Sequence, residues 1–579
     1  MKSLLKYFKG YIKECILGPL FKLLEASFEL IIPLIVADLI DKGIGHGDNH
    51  YIIKMALLMI GFGLVGFVIS ITAQYYSAKA ATAFSTKVRS ALFSHIQTLS
   101  YTEIDNLGTA GLITRMTSDI NQLQNGVNMT LRLFLRSPFV VLGATIMAFT
   151  INVKAALIFV VTIVLLSIVV FGIMLITIPL YRKVQKGLDK VLGRTRDNLN
   201  GVRVIRAFAL EDNEIKTFAG ENDQYVKIQL LVGRISALLN PLTFAMVNLA
   251  TAYLIYRGAV KVDTGILTVG QVVALVNYMS QILVELIKFA NFIYLDIKAL
   301  ACADRIESVL LIKSSMKEGD KEEGDEGKKG QVVFDHVSLR YDKTQDEAIE
   351  NISFAAGAGQ LIGIIGGTGS GKTSLVNMIP RFYDASKGAI YVDGVNVKDY
   401  TYEGLRKRIG IVPQTSVLFA GTIRSNMKWG ANDASDEDIY KALKIAQAAE
   451  FVKDAGGLDA PVSEGGKNFS GGQRQRLAIA RSLVSCPEIL ILDDSCSALD
   501  FATDAALRQG LKEMDNSPTI FLIASRTSSI MKADLIIVLE DGRVDGMGKH
   551  EELLKNSSVY QEIYYSQNGG RDNEQDKKL

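Results

Sequence analysis

Residues 361–373 read LIGIIGGTGSGKT. An apolar run, Leu361–Ile365, leads into Gly366, four further residues, and then Gly371-Lys372-Thr373. The pattern predicts a buried strand, a glycine-rich loop and the start of a helix, the P-loop arrangement in its required context. Glycines let backbone N–H groups curl around a phosphate, and the helix N-terminus adds positive potential. The expected phosphate-binding set is Gly366, Gly367, Thr368, Gly369, Ser370, Gly371, Lys372, Thr373 and Ser374. Lys372 is expected to reach the β- and γ-phosphates, and the Thr373 hydroxyl to ligate Mg²⁺. A nucleotide and Mg²⁺ are therefore the expected ligands.

The half of the chain before this loop is different in kind. Charge-free apolar runs occupy 55–73, 155–181, 236–256 and 264–284, with a weaker one at 137–152 after Arg132 and Arg136. Each long run can cross a bilayer at about 1.5 Å per residue. Residues 16–40 are added as a first span although they carry Lys22, Glu25 and Glu29, because steps of three and four place these on one helix face. Six helices are thus expected, at about 16–40, 53–77, 133–152, 155–181, 236–258 and 264–286. Lys2, Lys6, Lys9 and Lys13, and the basic stretch from Arg182 to Arg206, put the N-terminus and the long connections in the cytosol. No short apolar core with a cleavage site follows the basic start, so no cleavable signal is expected.

Domain boundaries follow from these shifts. Residues 1–310 form the transmembrane domain, 311–330 a charged linker, 331–567 an α/β domain, and 568–579 a polar tail. Segment 313–330 (KSSMKEGDKEEGDEGKKG) is almost all charged or Gly, cannot bury a core, and is expected to be flexible. A net charge of +2 with 21% charged residues gives no sign of a nucleic-acid binder. The four cysteines, Cys15, Cys302, Cys486 and Cys496, form no CxxC pair, so neither a zinc site nor a disulfide framework is indicated.

Downstream of the P-loop, residues 469–480 read FSGGQRQRLAIA and 489–500 read ILILDDSCSALD. With these motifs the chain resembles the ABC exporters, over nearly its whole length. Ser470, Gly471, Gly472 and Gln473 resemble the signature motif, with Phe469 where Leu is usual. The resemblance makes Asp493 a Walker B aspartate holding Mg²⁺ together with Thr373 and Gln414, Gln414 the Q-loop residue and Asp500 the D-loop aspartate. Tyr341, 25 residues before Gly366, sits where the family stacks an aromatic ring on adenine. Residues 99–125 and 199–216 look like the two cytosolic loops whose short coupling helices dock on the ATPase, near 101–106 and 208–214.

Two residues depart from that pattern. Asp494 stands where the family has the Glu that polarises the attacking water, and Ser525 where it has a His that contacts the γ-phosphate. Asp is one methylene short, and Ser cannot carry a positive charge at any pH. The resemblance therefore implies a chain that binds ATP without efficient turnover. Its intact signature would complete the site of a second half-transporter that carries the usual Glu and His. The expected function is ATP-driven export of small, amphiphilic or drug-like substrates by a heterodimer in the bacterial plasma membrane, in contact with membrane lipid. Two alternatives are a homodimeric flippase for lipid-like substrates and an ATP-gated regulator or channel of the same fold.

Overall fold

The computed structural model describes residues 3–341, 346–497, 499–514 and 516–568. The expected polar tail therefore lies outside the described residues, apart from the backbone of Asn568. The chain divides into two compact units: residues 1–97 with 108–312, and residues 98–107 with 313–579.

The first unit is helical. Its elements are α1 (Ile12–Asp38), α2 (Asn49–Gln97), α4 (Thr109–Thr114), α5 (Ile120–Leu133), α6 (Arg136–Ile151), α7 (Val153–Asn200), α8 (Val202–Ala207), α9 (Glu211–Ala237), α10 (Leu239–Asp263) and α11 (Val269–Leu310); α3 (Tyr101–Leu107) belongs to the second unit. Among the described residues five helical stretches are long and apolar enough to cross a membrane: α2, 109–151, α7, 211–263 and α11. The charges Lys22, Glu25 and Glu29 set α1 apart from these five. The core of the unit is built where small residues let helices approach: Ala26, Ala144, Ala148 and Ala274 pack with Phe159, Leu166 and Met279. The buried Tyr278 hydroxyl donates to the Leu30 carbonyl at 2.6 Å, so its polar tip is satisfied inside an apolar layer. Leu57, Leu64, Phe67 and Val68 of α2 stay exposed, as a lipid-facing side requires. The segment resembling the second coupling helix is not one helix. α8 ends at Ala207, Ala209 takes a positive φ of 50°, and α9 begins at Glu211.

The second unit is an α/β domain. Its strands are β1 (Val332–Leu339), β2 (Ile349–Ala356), β3 (Leu361–Gly366), β4 (Lys387–Val392), β5 (Val395–Asn396), β6 (Ile409–Val412), β7 (Gly421–Thr422), β8 (Pro461–Val462), β9 (Ile489–Asp493), β10 (Thr519–Ile523), β11 (Leu535–Glu540) and β12 (Arg543–Gly548). A six-stranded sheet runs β12-β11-β3-β10-β9-β6, and a four-stranded sheet β2-β1-β4-β5. β3, β6, β9, β10 and β11 are parallel, and β12 closes one edge antiparallel. Every residue of β9 and β10 is buried. That is why ILILD and TIFLI read as unbroken apolar runs, since both faces of a parallel sheet are covered. Leu490, Leu492 and Leu522 point into one core, Ile489, Ile491 and Phe521 into the other.

Segment 313–330 corrects the expectation of a flexible linker. Gly319 N–H donates to the Tyr400 carbonyl, Asp320 and Lys321 N–H to the Asp399 carbonyl, and Thr401 N–H returns to Lys321 O. Asp325 N–H donates to Asp393 O, and Met316 is buried. A side chain at Gly319 would fall 2.1 Å from the Asp399 carbonyl oxygen, so glycine permits this approach. Charge density bars such a segment from a core. It does not bar its backbone from pairing along an existing edge.

Within the same unit α3 packs against the loop that follows the P-loop helix. Tyr101 lies 4.6 Å from the Phe382 ring, and the Tyr383 hydroxyl donates to Asp105 Oδ2 at 2.6 Å. Burial, then the Asp105 carboxylate, pushes the Tyr383 phenol well above its usual range.

Candidate nucleotide site

β3 delivers Gly366 to the carboxyl edge of the parallel sheet, and the helix Lys372–Asn377 leaves from there. Gly371, its N-cap, has φ 92°, and a Cβ there would lie 2.8 Å from the Ala348 carbonyl oxygen. Only glycine fits both the angle and the space. On the outer side of the loop the positions of Gly367 and Gly369 face open space, with nothing within 4 Å of an added Cβ. Lys372 Nζ donates to the Gly366 and Gly367 carbonyls at 3.0 and 2.6 Å, folded along the loop it would share with a phosphate. Burial lowers the Lys372 pKa, and Asp494 and Asp493 act in the opposite direction.

Thr373 Oγ1 donates to Asp493 Oδ1 at 3.1 Å. A hydroxyl and a buried carboxylate beside a phosphate cradle are the hard oxygen donors that Mg²⁺ takes, so these two residues fit the ion. Burial raises the Asp493 pKa, which a bound cation would reverse. Gln414 is exposed just beyond β6, whose Val412 pairs with Leu492 of β9. It shares the sheet edge with Asp493 but makes no hydrogen bond to Asp493 or Thr373 among the described residues. Tyr341 donates to Ser374 Oγ at 2.8 Å and meets Tyr383 edge-on, which fixes its ring beside the P-loop helix.

The two departing residues meet. Asp494, at φ 46°, hangs from the end of β9, and Ser525 follows the neighbouring strand β10. Ser525 Oγ donates to Asp494 Oδ1 at 3.3 Å. Gln567, from the helix Ser558–Asn568, holds the Ser525 loop from behind. Its amide donates to Ser525 O at 2.7 Å, and its carbonyl accepts from Thr527 N–H at 2.8 Å. Arg526 lies over the Phe501 ring at 5.0 Å. Sequence reading missed Gln567 and Phe501, and no motif in the sequence marks them.

The signature segment is separately built. Ser470 caps the helix Gly471–Leu483, accepting from Gln473 N–H at 3.3 Å while Gln473 Oε1 accepts from Ser470 N–H at 2.9 Å. Phe469 is 8% exposed and packs edge-on to Phe451, so the larger ring fills a core position. Gly471 has open space around its Cβ position. Asp500 caps the helix Phe501–Lys512 through Thr503 N–H and Oγ1 at 2.9 and 2.8 Å, and those bonds lower its pKa. Its neighbour Ala498 lies outside the described residues.

Residues 15–286 match the family described as the ABC transporter transmembrane region, and residues 349–497 the family described as ABC transporter. The uncharacterized ABC transporter ATP-binding protein YfiB of Bacillus subtilis is 36% identical over 573 residues, covering 98% of this chain and 99% of that protein. The chain belongs to the ABC transporter family. Another relative, the uncharacterized ABC transporter ATP-binding protein Rv1273c of Mycobacterium tuberculosis, is 34% identical, covering 95% of each chain. YgaD of Bacillus subtilis, provisionally named a multidrug export ATP-binding/permease protein, is 30% identical over 98% of this chain and 99% of its own length. The fold is similar to that of a bacterial Atm1-family ABC exporter solved with ATP bound: TM-score 0.79, 24% identity, 97% of this chain and 99% of that one. This ABC transporter chain thus joins a helical transmembrane domain to an α/β ABC domain that carries the nucleotide site.

Lys372→Ala in the full chain is expected to weaken ATP binding about tenfold or more, the worth of a charge-assisted hydrogen bond to phosphate. Equilibrium binding of a fluorescent ATP analogue checks it. Unchanged affinity would remove the P-loop assignment.

Proposed function

We propose that this chain is one subunit of a heterodimeric exporter in the bacterial plasma membrane, that its own ATP site holds nucleotide without efficient turnover, and that its signature completes the partner's site. The observation that carries this is the Ser525–Asp494 contact at 3.3 Å. It supports the reading because the two positions that would supply base and switch are spent on each other, at the edge where Lys372, Thr373 and Asp493 gather. Asp494 carries its carboxylate about 1.5 Å closer to the backbone than Glu would, by one C–C bond. A misplacement of that size costs on the order of 10²-fold in rate.

The roles follow residue by residue. The P-loop amides and Lys372 bind and orient the phosphates, Tyr341 the base, and Thr373, Asp493 and Gln414 the ion. Bound Mg²⁺ would neutralise charge on the phosphates. Ser470, Gly471 and Gly472 at the capped helix start present N–H groups and a hydroxyl to the partner's nucleotide. Six membrane spans, with α1 as the first, place the N-terminus and the nucleotide-binding domain in the cytosol. α3, packed in the second unit, suits a coupling helix. The exposed Phe208 (71%) and Leu210 (45%), in the turn between α8 and α9, suit a docking contact of the second cytosolic loop without a helix of its own. A small amphiphilic or lipid-like molecule is the substrate.

The purified chain in lipid, without a partner, is expected to bind ATP and release little phosphate. Turnover comparable to that of a coupled exporter would overturn the reading and favour a homodimeric flippase.

A further inference from the structure

The charges of α1 do not sit on a stripe facing water. Lys22 is buried and donates to Glu25 Oε2 and, at 3.4 Å, to Ser70 Oγ. Arg136 of α6 is also buried and spans two helices, donating to Glu29 Oε2 at 2.7 Å and to Glu285 Oε1 at 2.6 Å. Glu285 takes further bonds from Ser137 Oγ at 2.8 Å and Lys288 Nζ at 2.9 Å. Three cations and three carboxylates thus cross α1, α6 and α11 inside the membrane-spanning unit. Charges at that depth are costly and are kept where they serve a polar ligand or a path.

Beside this network is an open cavity of about 460 Å³, with apolar walls from Ile32, Val140 and Val284. Its polar lining includes Glu29, Gln281 and Lys288. Two acceptors remain open. The Glu29 side chain is 42% exposed, and its Oε1 has no hydrogen-bond or ion-pair partner among the described residues. The Gln281 amide is oriented by its N–H bond to the Glu29 carbonyl at 3.3 Å, which leaves Oε1 buried and without a partner. The cations are held differently. Lys22, Arg136 and Lys288 each rest on a carboxylate; Arg136 Nε is buried without a partner, but its guanidinium is anchored on Glu29 and Glu285 through its two terminal nitrogens.

We propose that this cavity binds an amphiphile through an N–H-bearing ammonium, received by Glu29 Oε1 and Gln281 Oε1, with its apolar body against Ile32, Val140 and Val284. Lys288 supplies the charge compensation. It is 45% exposed on a four-carbon stem and can swing outward, leaving the network one charge negative for the incoming cation. That the occupant is a transported substrate rests on the exporter reading above; the binding itself does not.

The test uses the full chain in nanodiscs without nucleotide, with empty nanodiscs subtracted, so it is independent of the hydrolysis assays. The probes are 1-naphthylmethylammonium, its N,N,N-trimethyl analogue and 1-naphthylacetate, followed by fluorescence. The primary ammonium should bind about tenfold tighter than the trimethyl analogue, which has the charge and no N–H donor. Glu29→Gln and Gln281→Leu should each lose a large part of that preference. Gln281→Leu removes an unsatisfied buried group, so loss of fold is not its expected effect. Lys288→Met should tighten the ammonium several-fold, an effect that misfolding cannot imitate. Equal binding of the two cations, preference for the acetate, or indifference to all three substitutions would overturn the proposal.

Discussion

Ser470→Arg in this chain is expected to abolish ATP hydrolysis by the co-expressed heterodimer, by about 10²-fold or more. The substitution acts on the proposed partner's site, which contains none of this chain's P-loop residues. Ser470 caps a 13-residue helix, Gly471–Leu483, whose start is open to solvent. In the proposed dimer that start faces the partner's γ-phosphate, where preorganised donors stabilise charge as it develops. A guanidinium there fills the space and removes the hydroxyl. Loss of the N-cap costs only about 1 kcal/mol, so a thermal melt separates unfolding from the blocked site. The measurement is steady-state phosphate release by the pair in lipid, with ATP binding to this chain's P-loop as the control that should not move.

The second large effect runs the other way. Asp494→Glu combined with Ser525→His, in the chain purified alone, should raise hydrolysis by one to two orders of magnitude. Both changes are needed. Glu extends the carboxylate toward the nucleotide, and the loss of the Ser525 hydroxyl frees it from the bond at 3.3 Å. His restores a side chain long enough to contact the γ-phosphate. The gain stays partial for a structural reason: Asp494 takes φ 46°, which Asp tolerates better than the longer Glu. Gln567 also holds the Ser525 loop in its present course. Each single substitution should therefore give much less than the double one, and the same rate for all three variants would contradict this geometry.

The parallel strands of the second unit were legible because burial on both faces writes itself as a continuous apolar run, as in Ile489–Leu492. The P-loop was legible because its spacing is a backbone requirement. The pairing of Asp494 with Ser525 was not, since 31 residues separate them and only the β9–β10 register brings them together. The Gln567 clamp had no local signal at all. Segment 313–330 was misread because composition reports what can enter a core and says nothing of backbone pairing. In α1 the shared face of Lys22, Glu25 and Glu29 was visible. What that face does was not visible: Lys22 meets Glu25, while Glu29 reaches Arg136 and borders a cavity. Partners on other helices leave no periodicity to read.

Phosphate release by the co-expressed pair carrying Asp494→Asn tests the central claim most directly. Asparagine keeps the size and the hydrogen-bonding position of Asp494 and removes only its charge. If the working site is the one this chain completes with Ser470, the pair should retain most of its activity, while the matching Glu→Gln change in the partner silences it. If Asp494→Asn silences the pair, hydrolysis takes place at this chain's own P-loop and the account is contradicted.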